Sequence, residues 1–205
     1  MSVDVPDPRG YGRLVRDADG KPTAIVEQRD ATPEQQQICE INTGVMIARA
    51  SDFMRWLQQT TRDNDQQEYL MTDIVSVALG EGCAVRAIKA DDPDDVQGVN
   101  DHAQLNHLER VFQRRQALAL QKQGVRILDP SRFDLRGEMT CGQDVSIDVN
   151  VVFEGAIALG NNVVIGPNCH ITDATIGDGS VIKPNTVIEG ATIFADCSVG
   201  PFARI

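Results

Sequence analysis

From Ile147 onward an aliphatic or aromatic residue returns at every sixth position, and no other property of the chain constrains its fold as strongly. The series runs Ile147, Phe153, Leu159, Ile165, Ile171. It drops one residue and resumes at Ile176, Ile182 and Ile188, then drops another and ends with Ile193, Val199 and Ile205. Glycine follows the large residue at Gly160, Gly166, Gly177 and Gly200, and a small or β-branched residue comes four positions after it at Val163, Cys169, Ser180, Thr186, Cys197 and Ala203. Each hexad reads as a short strand plus a turn, and three hexads close one coil of a triangular solenoid. The large residue points inward and stacks on its counterpart one coil later, while glycine permits turn dihedrals that a β-carbon opposes. An irregular β-sandwich would not hold a sixfold period over so many positions, because period two is all that a sheet face demands.

Solenoid coils expose strand edges at their ends and need caps. Ile205, the last residue of the stripe, is also the last residue of the sequence. The expectation is therefore a chain cut from a longer one.

Ahead of about Gln123 strand and helix patterns alternate. Pro22–Glu27 reads as a strand entered through the turn Asp17–Gly20, Ile41–Ala48 as a buried strand, and Val85–Lys89 as a further strand. Ser51–Thr60 reads as a helix capped by Ser51, with Phe53, Met54, Trp56 and Leu57 on one side; Met71–Leu79 reads as another. These elements are too few to close an α/β sheet, and no Gly-rich nucleotide-binding turn precedes them, a second expectation of an open half-domain. Asp101–Gln123 predicts a long connecting helix with Leu105, Leu108, Phe112 and Leu118 roughly on one face and Gly124 as its stop.

Net charge of −11 argues against general affinity for nucleic acid, and no apolar run reaches the ~18 residues that span a bilayer. The five cysteines are odd in number and form no C-x-x-C pair, which suits reduced thiols in the cytoplasm. With aromatics at 4%, aliphatic packing and backbone pairing must carry the core.

Candidate chemistry is sparse. Gly10-Tyr11-Gly12-Arg13 reads as a turn on its own, and Glu27 as a solvated carboxylate at a strand end. Glu40-Ile41-Asn42-Thr43-Gly44 is less ordinary, since the Asn42 amide offers both a donor and an acceptor to a ligand. Asn100 or Asp101 serves either as the cap of the following helix or as an oxygen ligand for a hard cation. His102, His107 and His170 have no metal-ligand spacing among them, so no catalytic residue is assigned.

Taken in order, Asp7–Arg13, Ile25–Glu27, Glu40–Gly44, Glu68–Asp73, Gly98–Asn100, Leu108–Arg110, Asp129–Gly137 and Gly200–Ile205 resemble one family along essentially the whole chain. It is the bifunctional bacterial UDP-N-acetylglucosamine pyrophosphorylase / glucosamine-1-phosphate N-acetyltransferase (GlmU type). The resemblance implies an incomplete Rossmann-like α/β nucleotidyltransferase domain over 1–102, a linker helix over 103–123, and a left-handed parallel β-helix of hexapeptide repeats over 124–205. It implies that Gly12, Glu27, Asn42 and Asn100 contact UDP-N-acetylglucosamine and that Asn100 also binds Mg²⁺. It further implies acetyl transfer from acetyl-CoA to glucosamine-1-phosphate, then uridylyl transfer from UTP with release of pyrophosphate, in a cytoplasmic homotrimer. The product is a precursor of peptidoglycan and lipopolysaccharide.

The sequence departs from the family pattern at both ends. The Gly-rich loop with its Arg and Lys, and the acetyl-transfer residues with their His, are not among these 205 residues, so the isolated chain is expected to lack both activities. Two other readings compete: another β-helix-bearing sugar-1-phosphate nucleotidyltransferase, of the adenylyl- or thymidylyltransferase kind, and a non-catalytic trimeric scaffold.

Overall fold

The computed structural model describes residues 1–205, which divide into two compact units, Met1–His102 and Ala103–Ile205. The first holds β1 (Ser2–Asp4), β2 (Arg13–Arg16), β3 (Pro22–Val26), β4 (Glu40–Asn42), α1 (Ala50–Leu57) and α2 (Ile74–Gly80). Its four strands lie in the order β1-β4-β2-β3, each pair antiparallel. The parallel contact in this unit is the isolated bridge between Ser2 and Lys89, and the named strands form no parallel pair. Parallel neighbours need long crossovers, whereas β2 and β3 are joined by the tight turn at Asp17–Gly20, where Gly20 N–H donates to the Asp17 carbonyl at 3.0 Å.

Four expectations for this unit are corrected. The strand at Ile41 stops at Asn42, which bonds Gly12 on its β2 side just where the chain ahead of Gly12 bends into the Pro8–Tyr11 turn, and Val45 and Ile47 are exposed. Val85–Lys89 is no strand and contributes one isolated bridge, Ser2 to Lys89. Helix α1 starts at Ala50 behind Arg49, with no side-chain cap from Ser51. Its buried residue is Trp56, packed with Ile74 and Ala78 of α2, while Met54 faces solvent. Trp56 Nε1 and Gln59 Nε2 both donate to Glu81, tying α1 to the end of α2.

Strand β4 is also held by charge. Arg16 donates to Glu40 through Nε and Nη2 at 2.8 and 2.6 Å, and Ser2 Oγ donates to it at 2.6 Å. The Arg16 guanidinium brings the Glu40 carboxyl down to about 2. A carboxyl depressed in the fold stabilises it fully above its ordinary value near ~4.3, and that stability is lost as pH falls through about 2. Thermal unfolding of the first unit, followed from pH 5 to 2, is expected to fall less steeply in Glu40→Gln than in the wild type. An identical slope would show that the pair does not stabilise β4.

The second unit opens with α3 (His102–Lys122), followed by β5 (Arg126–Ile127), β6 (Phe133–Cys141), β7 (Ser146–Ile147), β8 (Val151–Leu159), β9 (Val164–Ile165), β10 (His170–Ile176), β11 (Val181–Ile182), β12 (Val187–Glu189), β13 (Thr192–Ile193) and β14 (Ser198–Val199). All pair in parallel, as stacked coils require. One ladder runs β5-β7-β9-β11-β14 and another β6-β8-β10-β12, with β13 also on β10.

The large residues meet in register on three faces: Ile127, Ile147, Ile165, Ile182, Val199; Leu135, Phe153, Ile171, Ile188; and Cys141, Leu159, Ile176, Ile193. Ile147 through Ile193 of the stripe are buried, and Ile205 is half-exposed. The stack begins one coil before Ile147, with Ile127, Leu135 and Cys141, whose uneven spacing hides it in the sequence. Successive rungs lie 18 and then 17 residues apart, as along the side-chain ladder Asn150–Asn168–Asn185. The first dropped residue falls where Asp173 stands opposite Gly155–Ala156. There the Asp173 carboxylate accepts the Ala156 N–H at 2.9 Å, satisfying a donor that the shortened coil leaves over.

Helix α3 spans nearly the range expected but buries another face. Leu105, Phe112 and Leu118 are exposed, whereas Gln113, Ala117 and Leu120 are buried. The reason is the open edge of β6. Gln113 accepts the Leu135 N–H at 2.7 Å through Oε1 and donates to the Leu135 carbonyl at 3.0 Å through Nε2, so an amide side chain replaces the missing strand. The helix ends in a Schellman motif, with Val125 N–H on the Leu120 carbonyl, Gly124 N–H on that of Gln121, and Gly124 at φ +98°. No helix is long and apolar enough to cross a membrane.

Candidate functional site

Three of the four residues singled out in the sequence meet at the turn leading into β2. Tyr11 N–H donates to the Pro8 carbonyl at 3.2 Å and Gly10 takes φ +85°, so the segment is a turn, as its composition alone suggests. The turn also brings Gly12 against the end of β3. A β-carbon at Gly12 would stand 3.1 Å from Oε1 and 3.2 Å from Oε2 of Glu27, so the absence of a side chain leaves room for the carboxylate. The Gly12 carbonyl accepts the Asn42 N–H at 2.8 Å, placing Asn42 at the end of β4 on the other side of the same backbone. The Asn42 Oδ1 accepts from Gly44 N–H at 3.3 Å.

Asn100 approaches by a different route. It lies in irregular backbone ahead of α3, and its Nδ2 would be 3.9 Å from a β-carbon on Gly10. Gly12, Glu27 and Asn42 thus surround one stretch of backbone, and Asn100 borders its Gly10 end.

Two neighbours were not assigned from the sequence. Thr72, 7% exposed, donates through Oγ1 to Glu27 Oε1 at 3.0 Å and so orients the carboxylate. It belongs to the Glu68–Asp73 motif, but its type alone carries no signal of contact with Glu27. The adjacent Asp73 has its carboxyl raised above the ordinary range by burial, with the like charge of Asp30 adding to the effect. Arg13, 1% exposed, donates to the Tyr11 carbonyl and, at 2.6 Å, to Gln28 Oε1. Beside the carboxylate and amides, the turn offers backbone groups and a buried cation. Such a set can bind hydroxyl and amide groups of a polar ligand.

No three His, Cys, Asp or Glu side chains gather to hold a metal ion. On the solenoid, His170 is exposed and its Nε2 lies 3.1 Å from Oε2 of Glu154, whose Oε1 pairs with Arg136. The five cysteines are free, and burial pushes the Cys141 thiol up to about 11, which keeps it protonated and unreactive.

Stacked parallel coils with an inward aliphatic stripe define the hexapeptide-repeat class. Residues 159–190 match the family Bacterial transferase hexapeptide (six repeats). Over its whole length the chain is 52% identical to a protein named Bifunctional protein GlmU from Marinobacter nauticus, 50% identical to one of that name from Methylococcus capsulatus, and 49% identical to one from Alkalilimnicola ehrlichii. It is a relative of these proteins along all 205 residues, as the ordered motifs imply, and it spans 44–45% of their length.

Proposed function

We propose that this chain carries part of a bifunctional enzyme that makes UDP-N-acetylglucosamine: acetyl-CoA-dependent N-acetylation of glucosamine-1-phosphate, then uridylyl transfer from UTP with release of pyrophosphate. The observation that carries the reading is the convergence of Gly12, Glu27 and Asn42 on one turn, with Asn100 at its edge. In this reading the four contact the nucleotide sugar. Glu27, held by Thr72, accepts from a sugar hydroxyl or amide, the Asn42 amide both donates and accepts, and Gly12 keeps the approach open.

Mg²⁺ prefers oxygen ligands and usually keeps several waters and phosphate oxygens. The amide oxygen of Asn100 suits that chemistry as one ligand among substrate phosphates. Bound there, the ion would offset charge on the phosphate oxygens during transfer.

The stacked coils are proposed as a left-handed β-helix that supports acetyl transfer and trimerises, with each acetyl-transfer site between neighbouring chains. A cytoplasmic setting suits five free thiols. No residue of this chain is assigned a catalytic role, and the 205-residue chain is expected to form no UDP-N-acetylglucosamine from UTP.

Backbone-resolved NMR titration of the ¹⁵N-labelled chain tests the substrate reading. UDP-N-acetylglucosamine is expected to shift the amides of Gly12, Asn42 and Asn100, and Asn42→Ala to weaken binding about tenfold, the value of one or two hydrogen bonds. Equal binding of UDP-glucose would assign the site to another sugar nucleotide. Unmoved amides at saturating ligand would overturn the reading.

A further inference from the structure

The Gly10–Gly12 turn and the Gly98–Asn100 segment are distant in sequence, and one side chain joins them. Tyr11 is 7% exposed, and its ring lies in a small core with Val3, Val5 and Ile41, bordered by Ala90 and Val96. The hydroxyl donates to the Gly98 carbonyl at 2.9 Å and accepts from Gln97 Nε2 at 2.9 Å. A ring serving the core alone would need no such pair, because phenylalanine fills the same volume. At its backbone end the Tyr11 carbonyl accepts from Arg13, whose guanidinium also donates to Gln28 Oε1. That oxygen accepts the Gly10 N–H as well, at 3.2 Å. The turn, the residue after Glu27 and the Gly98 segment are thereby linked through Tyr11.

We infer that Tyr11 is a positioning residue: by gripping Gly98 it sets where Asn100 stands relative to Gly12 and Glu27. The inference rests on the nucleotide-sugar reading above. Tyr11 is buried and its hydroxyl is used in both directions, so it acts on a ligand through Asn100, two residues beyond the carbonyl it holds. Gly98, Val99 and Asn100 are all exposed, and the Tyr11 hydroxyl holds the segment at its Gly98 end.

Tyr11→Phe in the 205-residue chain keeps the ring and removes both hydrogen bonds. Without ligand, backbone ¹⁵N order parameters at Val99 and Asn100 are expected to fall from the rigid range of ~0.85 toward ~0.6, while Leu14 and Ile41 keep the wild-type values. Unchanged order parameters at Val99 and Asn100 would overturn the inference. With UDP-N-acetylglucosamine, affinity is expected to fall about fivefold to tenfold, and Tyr11→Phe to add nothing in an Asn100→Ala background. Losses that multiply in the double variant would overturn it too, because Tyr11 would then act by another route. Gln97→Ala removes only the bond donated to the hydroxyl and keeps the grip on Gly98, so it is expected to change affinity less than about twofold; a loss of about tenfold there would overturn the inference even if Tyr11→Phe unfolds, because the hold on Gly98 would not be what fixes the segment. Absence of nucleotide-sugar binding by the wild-type chain defeats the substrate reading and with it the role toward ligand; the order parameters then decide separately whether Tyr11 fixes the segment.

Discussion

Phe153→Ala is expected to destabilise the solenoid by about 3–5 kcal/mol, the range for removing a buried aromatic ring from a core that cannot collapse. Phe153 is fully buried and stacks in register between Leu135 of the preceding coil and Ile171 of the next. Its ring also meets Phe133, with centroids 5.9 Å apart and planes tilted by 51°. A coil in a solenoid contacts only its neighbours, so a void at an interior coil weakens both junctions at once, and no other part of the core can close over it. Denaturant unfolding followed by circular dichroism measures the loss. Ile205→Ala, at the half-exposed end of the same stripe, is expected to cost ~1 kcal/mol or less. A Phe153→Ala loss as small as that would mean that the inward stripe does not form one continuous core.

Gly137→Ala is expected to cost about 4 kcal/mol or more, or to prevent folding, since neither the backbone nor its neighbour can yield. Gly137 lies at φ +152°, in the middle of β6 where the strand turns a corner, and it pairs with Gly155 in β8. A β-carbon there would overlap the Gly155 carbonyl oxygen. Gly155 cannot retreat, because the Asp173 carboxylate packs against its own Cα on the next coil and bonds the Ala156 N–H. The comparison is Gly190, at the corresponding corner one coil beyond Asp173. It has φ +64° and open space where a β-carbon would be, so Gly190→Ala is expected to cost only the ~1–2 kcal/mol of a left-handed residue. Equal losses at the two glycines would show that dihedral preference, and not the close approach of the coils, sets the requirement at the corner.

The hexad stripe was legible because its cause is local. Each large residue points inward whenever three short strands close a coil, so the side chain, its spacing and its neighbour one coil away are all fixed by a single period. The two shortenings, after Ile171 and after Ile188, could likewise be counted in the sequence. What fills the gap the first one leaves, the Asp173 side chain on Ala156 N–H, could not, because nothing in an Asp-Ala pair announces that a backbone donor lies opposite.

Helix α3 shows the limit of the same method. Its leucines suggested the buried face, yet Gln113 is the residue taken inside. An open strand edge needs a donor and an acceptor more than it needs another apolar group, and that demand comes from β6, not from the helix. Val45 and Ile47 lie outside the strand for a related reason: on the β2 side the backbone ahead of Gly12 turns away at Pro8–Tyr11 and gives an apolar run nothing to pair with.

At the candidate site, Gly12, Glu27, Asn42 and Asn100 were each unremarkable beside their ordinary explanations, and only the ordered resemblance singled them out. Their gathering around one turn, the Thr72 bond that orients Glu27 and the Tyr11 bridge to Gly98 belong to the tertiary structure. By itself the sequence determined the stacked coils and the extent of the long helix, because periodicity and end signals act between residues close along the chain. The face that α3 buries, the end of β4 and the company of each site residue were decided only in three dimensions, because each depends on a partner supplied by a distant segment.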